Sequence, residues 1–410
     1  MSRVIIVGAG IGGLCLAQGL ARAGIEFEVL EADAGPLIRN QGYRLRIDAM
    51  GQRALSQCLP PALFERFRAS CALSGPARFV DPGLNPLPER RPENWRENAG
   101  AGRADGDLSA DRQVLRDILS HGLGPRIRWG RRAQRFERDG DGIVVHCADG
   151  AEHRADLLVA ADGLHSPLRR QWLPRAEPEA IGALNLYGKA ALAGVDPALL
   201  NGPTVVFADG FTLVVEPMRF AAATTVQGGG PAPGGRLSPV DDYVYWALFG
   251  REACLGGPLS GDEPADGLRR RVADASRGLH ASLAALLAGT DVDAIKGRSV
   301  RMAGGVPAWP SGRLTLLGDA IHAMSPAGGV GANTALADAA MLAVCLADGD
   351  IDRAVARYEA DMRVRAERAL AQTRAGAERL LRRQPDAIPA SPGSAPGARG
   401  SRPAPARTTR

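Results

Sequence analysis

Residues 3–31 constrain the fold of this chain more than any other stretch. Arg3-Val4-Ile5-Ile6-Val7 is a short, β-branched run of the kind that makes a parallel strand buried on both faces. Gly8-Ala9-Gly10-Ile11-Gly12-Gly13 follows, then helical spacing through Leu14, Leu16, Ala17, Leu20 and Ala21. Gly24 stops that helix, and Phe27-Glu28-Val29-Leu30 makes a second strand closing on Glu31. Strand, glycine turn, helix, strand and acid in that order make the βαβ unit that holds a dinucleotide. Gly8 permits the tight turn, Gly10 lets a pyrophosphate approach the backbone, and Gly13 lets helix and strand pack closely. Ile11 and Gly12 open the helix whose N-terminal N–H groups face the phosphates. Glu31 is placed to accept from ribose hydroxyls, and its charge disfavours a 2′-phosphate in this site.

The rest of the 410 residues predicts an α/β chain: a Rossmann-like sheet interrupted by an antiparallel one, closed by a long C-terminal helix. Residues 42–48 alternate, with Tyr43, Leu45 and Ile47 on one face and Arg44, Arg46 and Asp48 on the other. Residues 81–107, rich in Pro, Gly, Asn and charge, read as a loop or lid, and Asp111 to Leu119 as a helix. Strand 127–129 and a hairpin over 142–156 lead to a buried strand, 157–161, that ends on Asp162-Gly163. From Trp172 to Lys296 strands and loops alternate, with a Gly/Pro linker over 227–239. Leu314 to Leu317 restores a buried strand before Gly318-Asp319 and a second glycine-rich loop; a charged helix spans Ile351 to Arg383. The pattern places the cofactor-binding domain at 1–72, 103–172 and 297–383 and a substrate domain at 73–102 and 173–296. The Pro/Ala/Gly/Ser/Arg tail, 384–410, has too little apolar content to fold.

Asp319, at a strand's end, can accept hydrogen bonds from hydroxyls of a bound polyol. Gly328, Gly329 and Gly331 let successive backbone N–H groups converge where the next helix begins, a nest that stabilises a developing anion. Asp162 and Ser166 admit a plainer reading, as a helix cap and a turn residue. Fifty basic against forty-five acidic residues leave +5, and Arg399, Arg402, Arg407 and Arg410 against Asp386 account for +3 of it. The remainder is near neutral, so no nucleic-acid surface is expected. The six cysteines and six histidines show neither CxxC nor HExxH, so neither a disulfide framework nor a metal site is expected. With no signal peptide and no eighteen-residue apolar run, the expectation is a cytoplasmic protein without a membrane partner, monomeric or homodimeric.

Three separated motifs together resemble the FAD-dependent aromatic hydroxylases, the p-hydroxybenzoate hydroxylase-like class A flavoprotein monooxygenases. The first is the unit just described. The second, Asp156-Leu-Leu-Val-Ala-Ala-Asp162-Gly163-Leu-His-Ser166-Pro-Leu-Arg169, is similar to the family's Asp-Gly motif. The third runs from Gly318-Asp319-Ala-Ile-His322 through Pro326-Ala-Gly328-Gly329-Val330-Gly331-Ala332-Asn333 and is similar to its Gly-Asp motif. The resemblance implies bound FAD and NADPH or NADH as a transient co-substrate, a flavin C4a-hydroperoxide, and hydroxylation or epoxidation of an aromatic or polycyclic small molecule with O2. It also implies that Arg112, Asp162, Asp319, Pro326, Gly329, Val330, Gly331, Ala332 and Asn333 lie against the cofactor. Arg46 is expected to border the flavin as the catalytic candidate, and Phe207, Tyr245 and Trp246 to line the substrate pocket. His322 has a structural hydrogen bond as its alternative role. The arginine-rich composition, with only Lys189 and Lys296 as lysines, suggests a bacterial pathway enzyme of natural-product biosynthesis. A flavin-dependent oxidase or reductase without oxygen insertion is the alternative, and a non-catalytic dinucleotide sensor a third. Flavin halogenases do not fit, because no two of Trp95, Trp129, Trp172, Trp246 and Trp309 are two residues apart.

Overall fold

A computed structural model describes residues 3–36, 42–73, 75–90, 106–221, 237–261 and 263–381. In chain order its first strands are β1 (Arg3–Val7), β2 (Glu26–Glu31), β3 (Arg44–Ile47), β4 (Arg78–Val80), β5 (Leu108–Asp111), β6 (Ile127–Trp129), β7 (Ala133–Asp139) and β8 (Gly142–Cys147). Then come β9 (Glu152–Ala155), β10 (Leu157–Ala160), β11 (Glu179–Ala191), β12 (Thr204–Ala208), β13 (Phe211–Met218), β14 (Tyr243–Arg251), β15 (Lys296–Met302) and β16 (Leu314–Leu316).

β1 lies at the centre of a parallel five-stranded sheet, ordered β16-β10-β1-β2-β6. Every residue of β10 and all of β1 after Arg3 are buried, because helices cover both faces. The helix Ile11–Arg22 packs on the helix Gly331–Ala347, bringing the two glycine-rich elements to the same end of the sheet. The predicted long helix is present as Ile351–Leu381, and its Tyr358 hydroxyl donates to the Leu316 carbonyl at 2.8 Å. Beside it, Glu359 is fully buried and accepts from Trp309 Nε1 at 2.7 Å and Thr315 Oγ1 at 2.9 Å.

The inserted sheet has six strands, β15-β11-β14-β13-β12-β4, and departs from the antiparallel expectation in one pair: β4 joins β12 in parallel. Alternation along β14 sends Val244, Trp246 and Leu248 to one face, against the helices Ala265–Ala275 and Ala281–Ala288. Tyr243, Tyr245 and Ala247 take the other face, with Tyr43 and Tyr187. Those two helices fall where strands and loops were expected. The expected hairpin over 142–156 is a three-stranded meander, β7-β8-β9.

The antiparallel ribbon β3-β5 joins the sheets. Arg44 Nη2 meets the buried Glu216 at 2.8 Å, Ser109 donates to the same carboxylate, and the Tyr243 hydroxyl donates to Asp111 at 3.0 Å. The tail 384–410, residues 91–105 of the expected lid and 227–236 of the linker lie outside the described residues. All six cysteines are free thiols, no described helix is long and apolar enough to cross a membrane, and no described cluster of His, Cys, Asp and Glu suits a metal.

Candidate functional site

The site forms at the carboxyl ends of β1, β2, β10 and β16, where open α/β sheets bind ligands. Gly8 has φ +107°, and a Cβ there would overlap the Ala161 carbonyl. A Cβ on Gly13 would overlap the carbonyl of Gly8, and one on Gly12 would press the Leu317 side chain. Gly10 differs: nothing lies within 4 Å of its missing Cβ. Three glycines therefore close the protein on itself, while Gly10 faces open space at the uncapped start of the helix beginning at Ile11.

Glu31 accepts from the amides of Ala9 at 2.7 Å and Asp33 at 2.8 Å, which orients its carboxylate beside that opening. Arg116 was not singled out in the sequence, yet its Nη2 lies 3.8 Å from Glu31 and 3.9 Å from Asp33. It also donates to the carbonyls of Ala9 at 3.0 Å and Pro36 at 2.9 Å. The available signal was its spacing, one helical turn beyond Arg112.

Asp319 follows Gly318 at the end of β16. Its side chain is exposed, yet burial is the largest influence on its carboxyl and raises the pKa; the charges of His322, Arg112 and Arg298 pull the other way. The carboxyl is thus open to solvent yet closely surrounded by protein, as on the wall of a cleft. Arg112 shares that cleft. Burial, followed by repulsion from Arg298 and Arg116, pushes its pKa down to about 10, and its guanidinium hydrogen-bonds no described residue. Arg298, on β15, is the second cleft arginine that local patterns did not reveal. Asp162 ends the strand next to β1. Neither of its buried oxygens has a partner at full hydrogen-bond geometry, and burial, opposed by the nearby Ser166 hydroxyl and Leu168 amide, raises its pKa to about 6. The cap of the helix Pro167–Trp172 is Ser166, not Asp162, so the plain reading of that pair is corrected.

The second glycine loop turns through Pro326–Gly328, passes the left-handed Gly329 (φ +61°), and enters the helix Gly331–Ala347 from Val330 with no side-chain cap. The first N–H groups of that helix, at Gly331 and Ala332, are thus left for a ligand. Asn333 is fully buried; it accepts from Asp48 N at 3.1 Å and donates to the carbonyls of Arg46 at 3.0 Å and Gly329 at 3.2 Å. Its side chain is committed to tying the loop to β3, which corrects a direct cofactor contact to a supporting one. Arg46 is ion-paired with Asp107 and runs alongside Gly329.

His322 sits behind the cleft, fully buried, with Nε2 2.5 Å from Asp338, which Arg365 also holds at 3.0 Å. Burial opposes its charge, but Asp338 outweighs burial and the imidazole pKa is raised. Of the expected substrate aromatics, Tyr245 joins the wall of Tyr43, Tyr187 and Tyr243. Trp246 does not: it is fully buried on the opposite face, its indole donating to Thr290 at 2.8 Å. Phe207 is also away from the cleft, stacked on Phe79 at 6.5 Å near the far edge of the sheet. Neighbouring strand residues face opposite ways, so at most one of Tyr245 and Trp246 can face the site.

Comparison with known proteins meets this geometry at both glycine elements. Residues 269–373 match the FAD binding domain family, and residues 6–46 an NAD(P)-binding Rossmann-like domain. The aurachin C monooxygenase/isomerase of Stigmatella aurantiaca is 29% identical over 89% of this chain and 85% of its own length. A solved structure from Photorhabdus luminescens, assigned as an FAD-containing monooxygenase, superposes with a TM-score of 0.76 at 28% identity, covering 93% of this chain and 99% of the other. Both of these relatives carry the name of FAD-using monooxygenases, and the chain is similar to them over most of its length. A dual O-methyltransferase/FAD-dependent monooxygenase of Cercospora beticola is 32% identical over 92% of this chain. That match takes in 46% of the relative, so the chain spans about half the length of such two-function proteins. Gly10 and Glu31 lie inside the Rossmann-like match, and Asp319 inside the FAD binding domain match.

Proposed function

We propose that this chain uses NAD(P)H and O2 to insert one oxygen atom into an aromatic or polycyclic small molecule. The observation that carries this reading is the convergence of two glycine elements, Gly8–Gly13 and Gly318–Gly331, 305 residues apart at their nearest, on one cleft whose floor at Gly10 is open. The residues present fit FAD. Gly10 leaves room for the pyrophosphate, and the uncapped helix behind it offers N–H groups and a positive dipole end. Asp162 presents a buried carboxylate with no partner at full hydrogen-bond geometry, a place for a polyol's hydroxyl. When bound, the flavin accepts hydride and activates dioxygen, and the protein supplies binding and orientation.

Glu31 takes the ribose hydroxyls and Asp319 those of the ribityl chain. Arg112 offsets phosphate charge. The free N–H groups at Gly331 and Ala332 favour negative charge at the pyrimidine end, while Asn333 and Arg46 fix that loop against β3. Tyr245, backed by the buried rings of Tyr187 and Tyr43, gives a flat substrate an aromatic wall. The test is NAD(P)H oxidation by the FAD-loaded protein across phenols, indoles and polyketides, with isotopically labelled O2 followed into product by mass spectrometry. Label in the product supports the proposal. Consumption of NAD(P)H with no label in any product, across the whole panel, would replace it with a reductase or oxidase.

A further inference from the structure

A cavity of about 310 Å³ wraps the edge strand β15, lined by Tyr187, Ile295, Lys296, Arg298, Leu268 and Glu263. Lys296 and Arg298 are two residues apart on that strand, about 7 Å along the chain, and so share a face. The intervening Gly297 points the other way, where a Cβ would press Leu268 and Leu186. Neither cation makes a hydrogen bond or an ion pair with a described residue. The one carboxylate on the wall, Glu263, is held by Arg271 through two hydrogen bonds, at 2.5 and 2.9 Å. The cavity therefore carries two uncommitted positive charges. Lys296 is one of only two lysines among fifty basic residues, so a compact ammonium stands here in a chain that otherwise uses arginine. Arg298 also reaches the cofactor cleft, since its charge acts on both Arg112 and Asp319.

We infer that Lys296 and Arg298 bind the diphosphate of the reduced nicotinamide dinucleotide, with the Tyr187 ring beside it. The inference rests on the proposed use of NAD(P)H and names its site. The Gly8–Glu31 unit accommodates one dinucleotide. With FAD there, a second dinucleotide needs other donors for its phosphates, and two long cationic side chains closing on one diphosphate supply them. The buried Tyr187 closes the wall beside the two cations, and the charge of Arg298 acting on Asp319 puts the site next to the flavin cleft.

The experiment titrates NAD⁺, NADP⁺ and benzoate separately into the FAD-loaded protein, following flavin absorbance and heat. No turnover is needed, so a wrong assignment of the reaction would not disturb the readout. Arg298→Gln and Lys296→Gln should each weaken both dinucleotides by about 10-fold or more, the loss expected for one charge-assisted hydrogen bond. Both should keep FAD and the melting temperature of the parent. Arg298→Lys, which keeps the charge, should recover most of the affinity. Unchanged dinucleotide binding in both glutamine variants overturns the inference. So does a loss confined to benzoate, which would give the cations to the substrate, or release of FAD by Arg298→Gln, which would give that arginine to the flavin. A protein that holds no FAD at all would instead refute the proposed function.

Discussion

Asp162 keeps a buried carboxylate that no donor meets at full hydrogen-bond geometry, and burial, against the opposing pull of Ser166, raises its pKa to about 6. Above pH 6 the cofactor-free protein carries a buried charge; below it the group is neutral, having been raised from an ordinary value of about 3.9. A ligand hydroxyl that donates to the ionised form therefore binds better as pH rises through about 6, and Asp319, also raised, acts in the same direction. FAD affinity measured by flavin fluorescence should strengthen from pH 5 to pH 7, and Asp162→Asn should flatten that profile. Asp319→Ala should weaken FAD by about 10- to 100-fold, the worth of hydrogen bonds to a charged acceptor, with added FAD restoring turnover. If Asp319→Ala keeps FAD while substrate affinity collapses, the carboxylate faces the substrate instead. Gly10→Val fills the space in front of the helix and should yield colourless protein, whereas retained colour would move the pyrophosphate elsewhere. At this scale the sequence was readable wherever function is local: Gly8 to Glu31 forms one continuous segment. Arg116 showed only its helical spacing from Arg112, its role coming from partners distant in the chain, and Arg298, on a strand's edge, showed nothing.

Long elements were legible and their pinning was not. The charged period over Ile351 to Leu381 specifies a helix, but nothing in it singles out Glu359 as the acceptor for Trp309, Ser311 and Thr315. Removing it as Glu359→Ala strands the buried donors of Trp309 and Thr315, each costing about 1–3 kcal/mol, so stability should fall by about 2–6 kcal/mol, read as a lower denaturation midpoint. Glu359→Gln, which can still accept, should lose less; equal losses in the two variants would count against the hydrogen-bond account. A second pin joins the short helix Asp319–His322 to the helices Gly331–Ala347 and Ile351–Leu381 through His322, Asp338 and Arg365. The folded-state pKa of His322 is raised, so its contribution is complete below about pH 6.5 and disappears as pH climbs through the folded value. Thermal melts should show a decline on the alkaline side that is shallower in His322→Gln. The strand β14 shows why the substrate residues were half read. Composition marks Tyr245 and Trp246 alike as large aromatics, and only the register against β11 and β13 decides which one faces the cleft.

Across the whole molecule, the parallel sheet and the six-stranded sheet meet through the ribbon β3-β5 and the buried Arg44–Glu216 pair. Cutting that pair as Glu216→Ala leaves a cation without its partner and should cost about 3–5 kcal/mol, read as a lower denaturation midpoint. Glu216→Gln, which retains an acceptor for Ser109, should cost less. The alternation of apolar runs and glycine turns foretold an α/β molecule with an inserted sheet. The parallel β4–β12 pair was invisible because β4 is three residues long and meets its partner more than a hundred residues later. The strand order β16-β10-β1-β2-β6 bears on how the protein is made. On the ribosome, β1 and β2 emerge first and must wait for β10 before one side of β1 is paired, and for β16 before the sheet is complete. Asp319 and the loop after it come later still. The cofactor cleft is therefore completed only after β16 and the loop behind it are made, and until β10 emerges the apolar strand β1 has an unpaired edge. Expression yield should respond to chaperone supply more than to flavin supply.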